Sequence, residues 1–544
     1  MFLTWQVPSK PHLIQCFSPS TGHILGTVRV DDESEVNKKV SLARNAQQSW
    51  ASTSFAERRR VLQMLSRAVM DHAEDICKLS ALDTGKTQME AMVGEIMVTC
   101  EKAKWVCSHG EEALAPEARE TGLMTVHKSA RVEYHPLGVL GVIAPWNYPF
   151  HNMYNHIISG LFTGNAVVVK ISEFTAFCGE RYIRLAKEVL AAAGHSPDLV
   201  QLVNGFAETG AALVHSGVDK IIFTGSPQVG KHIMRGAADT LTPVVLELGG
   251  KDPMVICDDA DLSQVVQIAI RGALQNCGQN CIGVERFYVY DSVHREFVDQ
   301  VVEIVEQLRQ GPPLREDDGS WVPGVDLGAT TTAPQLKHIA ELVEDAVAHG
   351  AVVETGGRIL HEDSSGQRCG LFFEPTVLTG VTHDMRIVNE EVFGPVFTII
   401  RVPNDDDDAM LEMVNSTPYG LGSSIFSRNV TRAERIAEGI YAGMANVNDF
   451  GLNYMVQSLP FGGVRISGFD RFSGKEGLRS CCLLKSVVTD RFPCLGIRTS
   501  IPKPMQYPGT ENTMPFTEGL IGMQYAHSWS QRAAAVWQLI RSSM

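Results

Sequence analysis

No stretch of the chain reaches the roughly 18 uninterrupted apolar residues that a membrane-spanning helix requires. Its first 17 residues, with Trp5, Pro8, Lys10 and Pro11 among them, lack the continuous apolar core of a signal peptide. Basic residues are scarce, 47 Lys and Arg against 62 Asp and Glu, and the net charge is −15. That balance argues against nucleic acid or an anionic membrane as the main partner. The 12 cysteines show no spacing of the kind that staples a small secreted module, which points to a reducing, cytoplasmic setting. Membrane association enters only if the natural amino terminus is longer. Cys277 and Cys281 are four apart and Cys481 and Cys482 adjacent, but no second Cys or His pair completes a zinc site, so no metal is expected.

Apolar material is plentiful: 44% of 544 residues is more than one ordinary core takes, so two or more domains are expected. Between Asp31 and Ser80, Val36, Val40, Ala43 and Trp50, then Val61, Leu62, Leu65, Ala68 and Val69, recur at three and four residues, the period of surface helices. Met124 to Tyr134 alternates and reads as an edge strand or arm. From Val139 onward, strand-like runs (139–144, 166–170, 199–203, 220–224, 252–257, 286–290 and 396–402) alternate with helical ones (182–193, 293–308 and 336–349). This alternation predicts an α/β fold of helix-covered, mostly parallel sheets, with the boundary between two such domains near Glu247 to Lys251. Asp405 to Asp408 reads as a solvated helix start, since four consecutive carboxylates cannot face one ion. A last helix from about Tyr525 carries the stripe Trp529, Ala533, Val536, Trp537 and Ile540, which is expected to dock.

The chemistry concentrates in two stretches, Asn276-Cys277-Gly278-Gln279-Asn280-Cys281 and Leu246-Glu247-Leu248-Gly249-Gly250-Lys251. A thiol among small and amide-bearing residues, and a carboxylate closing an apolar strand, offer a covalent nucleophile and a base able to activate water. Pro145-Trp146-Asn147-Tyr148-Pro149 follows a strand, at the carboxyl end where open α/β sheets hold ligands. Asn147 there is either an oxyanion donor or a turn asparagine. Lys170 and Glu173, at the end of the next strand, suit ribose hydroxyls or a surface ion pair. Thr224-Gly225-Ser226-Pro227-Gln228-Val229-Gly230-Lys231 is a strand–turn–helix passage whose amides could cradle a diphosphate. It is not the G-x-G-x-x-G fingerprint.

With Lys170-Ile171-Ser172-Glu173, Phe223-Thr224-Gly225-Ser226, Glu391-Val392-Phe393-Gly394-Pro395 and Pro460-Phe461-Gly462-Gly463, these segments stand in an order and spacing that resembles the aldehyde dehydrogenase superfamily. The likeness spans roughly residues 17 to 492. Ser467-Gly468-Phe469-Asp470-Arg471-Phe472 and Ile501-Pro502-Lys503-Pro504-Met505-Gln506-Tyr507-Pro508 resemble a less-characterised eukaryotic subgroup. Glycine is usual in the family where Asp470 stands.

The resemblance implies two doubly wound domains, a Rossmann-like cofactor domain over 1–247 and a catalytic domain over 248–462, with a return to the first at 463–485. It further implies a β oligomerisation arm at 122–138 and 486–492, and a carboxyl-terminal extension over 493–544. A homodimer or homotetramer is implied by strand addition at the arm. The implied reaction is oxidation of an aldehyde to a carboxylic acid. Cys281 is then the nucleophile, Asn147 with the Cys281 backbone N–H the oxyanion donors, and Glu247 the water-activating base. A free thiol titrates at about 8.5, so Cys281 would need activation. Trp146, Gly225, Ser226 and Gly230 fall to the diphosphate region of a dinucleotide, Lys170 and Glu173 to the adenine ribose, and Glu391 and Phe393 to the nicotinamide end. Glu173 should repel a 2′-phosphate, favouring NAD, with NADP as the alternative. Tyr148 would line the aldehyde tunnel; Cys277, one helical turn before Cys281 if that stretch is helical, would line it too, pair reversibly with Cys281 under oxidation, or simply pack in the core. Acyl transfer by the same thiol, or a non-catalytic scaffold on the same fold, are the competing readings.

Overall fold

The computed structural model describes residues 5, 10–362, 368–403 and 406–543; Asp405 of the acidic run and most of the first nine residues lie outside them. Strand-forming runs without polar alternation are covered on both faces. Ala166–Ile171 and Val284–Tyr290 are buried along their whole length, as strands within helix-covered parallel sheets must be. The amphipathic helices form at Glu33–Trp50 and Phe55–Asp71, burying the expected Val36, Val40, Ala43 and Trp50 and then Val61, Leu62, Leu65 and Val69.

The first sheet runs in the order Gly468–Phe469, Val244–Leu248, Lys220–Gly225, Val139–Ala144, Ala166–Ile171, Val200–Val203. Its strands are parallel except Gly468–Phe469, which pairs antiparallel with Val244–Leu248 and sets Gly468 opposite Glu247. The chain builds outward from Val139–Ala144 to Val200–Val203, then returns to the other side with Lys220–Gly225. Ala144 and Gly225, the carboxyl ends of the two neighbours, therefore flank the reversal of strand order where α/β sheets hold ligands. The second sheet runs Val352–Thr355, Thr376–Thr379, Val396–Val402, Val284–Tyr290, Asp252–Ile256, Ser424–Phe426, Asn446–Val447. It too is parallel, apart from the antiparallel edge strand Val352–Thr355. The fold is thus doubly wound α/β in both sheets.

Both sheets belong to one compact unit, Met1–Ala115 with Tyr134–Leu484; Pro116–Glu133 with Lys485–Met544 forms another. The second unit ends in a hairpin of helices Thr513–Tyr525 and Trp529–Ser543. Within this hairpin the Trp529 stripe is not the packed face. A Cβ on Gly522 would lie 2.7 Å from Ala535 Cβ, and one on Gly519 2.9 Å from Leu539 Cγ, so the small-residue faces pack. Trp529, Trp537 and Ile540 are left exposed, because bulky side chains do not fit so close an approach. Among the described residues no helix is long and apolar enough to cross a membrane.

Two local details revise the sequence reading. Asp406 caps helix Asp407–Asn415, but Asp407 is not merely solvated: Arg432 donates to it at 2.7 Å and the Tyr290 hydroxyl at 2.5 Å. Asp470 stands at φ +63°, a left-handed conformation that explains why glycine is usual there, and its carboxylate accepts from Lys220 Nζ at 3.2 Å.

Ser467 ties the returning strand to both sheets. Its Oγ donates to Gly249 O at 2.7 Å and accepts from Gly420 N at 3.0 Å, wholly buried. Ser467→Ala is expected to strand both main-chain groups and lower stability by about 1–3 kcal/mol, seen as a lower urea midpoint at unchanged slope.

Candidate active site

Helix Leu262–Leu274 stops at Gln275, and the chain turns through three successive left-handed residues, Asn276 (φ 57°), Cys277 (φ 56°) and Gly278 (φ 72°). The stretch from Cys277 to Cys281 is therefore not helical. At Gly278 a Cβ would lie 2.0 Å from the Gly394 carbonyl oxygen, so only glycine passes. Asn276 and Cys277 carry side chains in a conformation that costs about 1–3 kcal/mol each and persists only where the surroundings over-determine it. They do so here. Asn276 N donates to Glu90 Oε1 at 2.7 Å, and its Nδ2 to Asn147 O at 3.0 Å and Gln279 O at 3.1 Å. Gln279 Nε2 returns to Asn276 O at 3.0 Å while its Oε1 accepts from Thr331 N at 2.8 Å.

The Asn147 loop is fastened from the opposite side. Lys86 and Glu95 pair at 2.7 Å with both side chains 0% exposed. Lys86 Nζ also donates to Asn147 O at 2.7 Å and stands 4.2 Å from the centre of the Tyr148 ring. Glu95 accepts from Ser80 Oγ at 2.7 Å and from His151 N at 2.9 Å. It rides on a π-helical turn, Met92–Met97, a distortion that collects at functional sites. Gly94 in that turn makes room for Tyr148, whose ring a Cβ would approach to 2.4 Å. Asn147 Nδ2 donates to Gln279 O at 3.2 Å and its Oδ1 accepts from Asn152 Nδ2 at 3.2 Å, which leaves a second N–H for a ligand.

Cys281 sits where two cavities meet. One, of about 180 Å³, has aromatic walls, among them Tyr148, Phe450, Tyr454, Phe461 and Phe472. The other, of about 280 Å³, is lined by Trp146, Gly225, Ser226, Gly249, Glu391 and Phe393. Asn147, Thr224, Glu247 and Cys281 face both. Burial pushes the Cys281 thiol well above its ordinary range, and Glu247, Asp252 and Glu391 push it further. The resting thiol therefore keeps its proton, because low polarity and nearby carboxylates both oppose another negative charge. Burial likewise lifts Glu247 to about 7, against the opposing pull of the Cys281 thiol and the Thr224 hydroxyl. Glu247 Oε1 is buried without a hydrogen-bond partner, a lone acceptor aimed into the site.

The far wall is built around a second buried pair. Lys251 Nζ meets Glu285 Oε2 at 2.6 Å, and Glu285 accepts from Val392 N and Phe393 N, each at 2.8 Å. This holds Phe393 at φ +50° with its ring edge-on to Trp146, 5.6 Å between centres. Glu391 Oε1 accepts from Gly250 N at 3.0 Å, and its carboxyl is raised by burial and by Glu285. Gly249 must lack a side chain, since a Cβ would lie 2.1 Å from Glu391 Oε2.

Some expected site residues fall outside the linings of these two cavities. Lys170 is buried with its Nζ on Ile171 O at 3.1 Å, Glu173 accepts from Ser172 Oγ at 3.3 Å, and neither lines the 280 Å³ cavity. Gly230 also lies outside that lining and serves packing: a Cβ there would meet Leu248 Cδ2 at 2.8 Å. Cys277 is buried outside the tunnel lining, its thiol pushed up to about 12 by burial, with Gln310 Nε2 at 4.0 Å. Of His151, Asn152, Asn155 and His156, the polar residues that follow Tyr148, Asn152 alone lines the tunnel; His151 turns to Thr99 Oγ1 at 2.8 Å. Sequence reasoning missed Lys86, Glu90, Glu95 and the ring-bearing residues 450–472. The one available signal was the Thr87-x-x-Glu90 spacing of a capping box, which does form, Thr87 N donating to Glu90 Oε2 at 2.8 Å.

Comparison with known proteins gives one consistent result. A family model described as the aldehyde dehydrogenase family matches residues 5–487. An aldehyde dehydrogenase-like protein of Schizosaccharomyces pombe is 38% identical over 533 residues, covering 97% of this chain and 99% of that protein. The chloroplastic betaine aldehyde dehydrogenase of Beta vulgaris is 31% identical over 494 residues, 89% of this chain and 95% of its own length. Among solved structures, the NAD+ complex of an aldehyde dehydrogenase from Bacillus cereus superposes with a TM-score of 0.80 at 30% identity, covering 88% of this chain and 93% of that one.

Removing the Lys86 ammonium should be costly, since it leaves Glu95 charged and alone. Lys86→Met is expected to lose about 3–5 kcal/mol in urea unfolding. Adding Glu95→Gln to that variant should recover part of the loss, because Gln keeps an acceptor for His151 N without the charge.

Proposed function

Because the chain belongs to the aldehyde dehydrogenase family, we propose that it oxidises an aldehyde to the carboxylic acid with NAD as hydride acceptor. The observation that carries this reading is the meeting of two cavities on one buried thiol, beside a carboxyl lifted to about 7 and an amide N–H. The donors and gaps of the 280 Å³ cavity suit a dinucleotide. Gly225 and Ser226 precede helix Pro227–Ala238, whose amino end favours a diphosphate, and Gly230 lies in its first turns. Glu391 would accept from ribose hydroxyls at the nicotinamide end, flanked by Trp146 and Phe393. Lys170 and Glu173, at the end of strand Ala166–Ile171, are assigned to the adenine ribose, where Glu173 disfavours a 2′-phosphate and hence NADP. NAD, when bound, supplies the acceptor for the hydride that leaves the aldehyde.

Within the chain, Cys281 adds to the carbonyl carbon. The Asn147 carboxamide and the Cys281 backbone N–H hold the oxyanion, where one donor contributes about 3 kcal/mol. Glu247 first receives the thiol proton that the surroundings otherwise keep in place. Once it has released that proton to solvent, it takes the proton of the water that frees the acid from the Cys281 thioester. Strand Cys482–Asp490, at the edge of its three-stranded sheet with Leu484 and Val488 exposed, supports strand addition between copies and a homodimer or homotetramer. The unpaired cysteines among the described residues support a reducing, cytoplasmic setting.

The test follows NADH absorbance over an aldehyde panel. Cys281→Ala is expected to abolish turnover. Glu247→Gln should lower kcat by about 10²–10⁴, with acyl-enzyme building up to a level that intact-protein mass spectrometry resolves. In the wild type kcat/KM should rise with pH through about 7, because Glu247 is neutral below that value and a base above it. Undiminished turnover by Cys281→Ala would sink the assignment.

A further inference from the structure

The mouth of the aromatic tunnel differs from its walls. Glu247 is the one carboxylate among the described residues lining it, and Arg271 the one cation. Arg271 lies exposed near the end of helix Leu262–Leu274, one turn before Gln275, so the two share a face. The same pair also lines a neighbouring cleft of about 580 Å³, which places them on the rim between tunnel and cleft. Arg271 Nη1 reaches the Met89 sulfur at 3.8 Å, a weak acceptor that leaves its forked donor edge unspent. The carboxylates bordering that cleft are already engaged. Glu90 accepts from Thr87 N and Asn276 N, and Asp326 pairs with Arg309 at 3.6 Å.

A second cation stands behind the tunnel wall. Lys102 is wholly buried and its Nζ donates to Ser473 Oγ at 3.3 Å, next in sequence to the tunnel residue Phe472. Burial lowers its ammonium to about 8, with Cys481 opposing, and no carboxylate among the described residues is paired with it. Buried charges are ordinarily paired, so a cation without a counterion adds positive potential behind this wall, while Glu247, Asp252 and Glu391 add negative potential at Cys281, a bias that favours an anion away from the thiol. The rings do not offset that bias as a cage for a cation. Tyr454 stands edge-on to Phe461 and Phe461 is tilted against Phe472, both at 4.8 Å, while Lys86 covers the Tyr148 face.

Resting on the aldehyde-oxidising reading, we propose that the substrate carries a carboxylate at the end remote from the aldehyde, across an apolar chain, and that Arg271 with Gln275 holds it at the tunnel mouth. The aromatic walls take the chain, and the guanidinium offers the two parallel N–H groups that a carboxylate accepts.

The test uses straight-chain aldehydes of matched length ending in a carboxylate, a methyl ester or a trimethylammonium group. Wild type should favour the carboxylate over the ester in kcat/KM by about tenfold or more, the range of a charge-assisted bidentate pair. Arg271→Gln should cut that ratio about tenfold, and Arg271→Lys should restore only part of it. In a Cys281→Ala background, where nothing turns over, Arg271→Gln should weaken binding of the carboxylate-ended aldehyde by a similar factor. A ratio that Arg271→Gln leaves unchanged, or a preference for trimethylammonium, overturns the subsite while aldehyde oxidation stands. Binding that depends on Arg271 without turnover of any aldehyde keeps the subsite and overturns the oxidation reading. Neither turnover nor Arg271-dependent binding overturns both.

Discussion

Everything at the site hangs on an ammonium and a carboxylate held completely out of water, those of Lys86 and Glu95. Taking both ions from solvent costs several kcal/mol apiece, and their mutual attraction repays it only when further hydrogen bonds are collected. Lys86 finds the Asn147 carbonyl; Glu95 finds Ser80 and the His151 amide. Those extra bonds are what fix the Asn147 loop. The same carbonyl then receives Asn276 Nδ2, so the pair also bears, at one remove, on the strained turn that presents Cys281. Two loops far apart in sequence are thereby set against one another.

Around that frame the chemistry depends on keeping charge low until it is required. Cys281 and Glu247 both sit where burial disfavours ionisation, and Glu247 raises the thiol's cost of carrying a negative charge further. A thiol that keeps its proton is protected from adventitious oxidation and alkylation, which act on the thiolate. A carboxyl near 7 is poised to accept a proton under ordinary conditions. The second buried pair, Lys251 with Glu285, spends its acceptors on the Val392 and Phe393 amides, holding the far wall of the neighbouring cavity without placing a free charge in it.

Much of this was legible in the chain. The strands at 139–144 and 220–225, the apolar stripes of the first two helices and the glycines beside Glu247 are local signals, and each formed as its periodicity or turn chemistry demands. Cys281, Glu247 and Asn147 could be picked out because each stands beside glycine or at a strand end, where only a few residue types serve. What the sequence left open turns on distant contacts. Whether the Cys277 stretch is helical is decided by a left-handed turn that Glu90, nearly two hundred residues earlier, stabilises. The Trp529 stripe is amphipathic as read, but its periodicity carries no word of Gly519 and Gly522, which draw the opposite, small face inward.

The sequence by itself determined the α/β alternation and the strand ends, which follow from spacing within a few residues, and it singled out the thiol, the carboxylate and the amide through the resemblance of its ordered motifs to a known family. Tertiary structure alone decided that the three converge between two cavities, that burial holds the thiol protonated, and that an arginine with no carboxylate partner among the described residues stands at the tunnel mouth. Burial and proximity are sums over residues distant in the chain, so they exist only once the two sheets, with the helices on them, have packed.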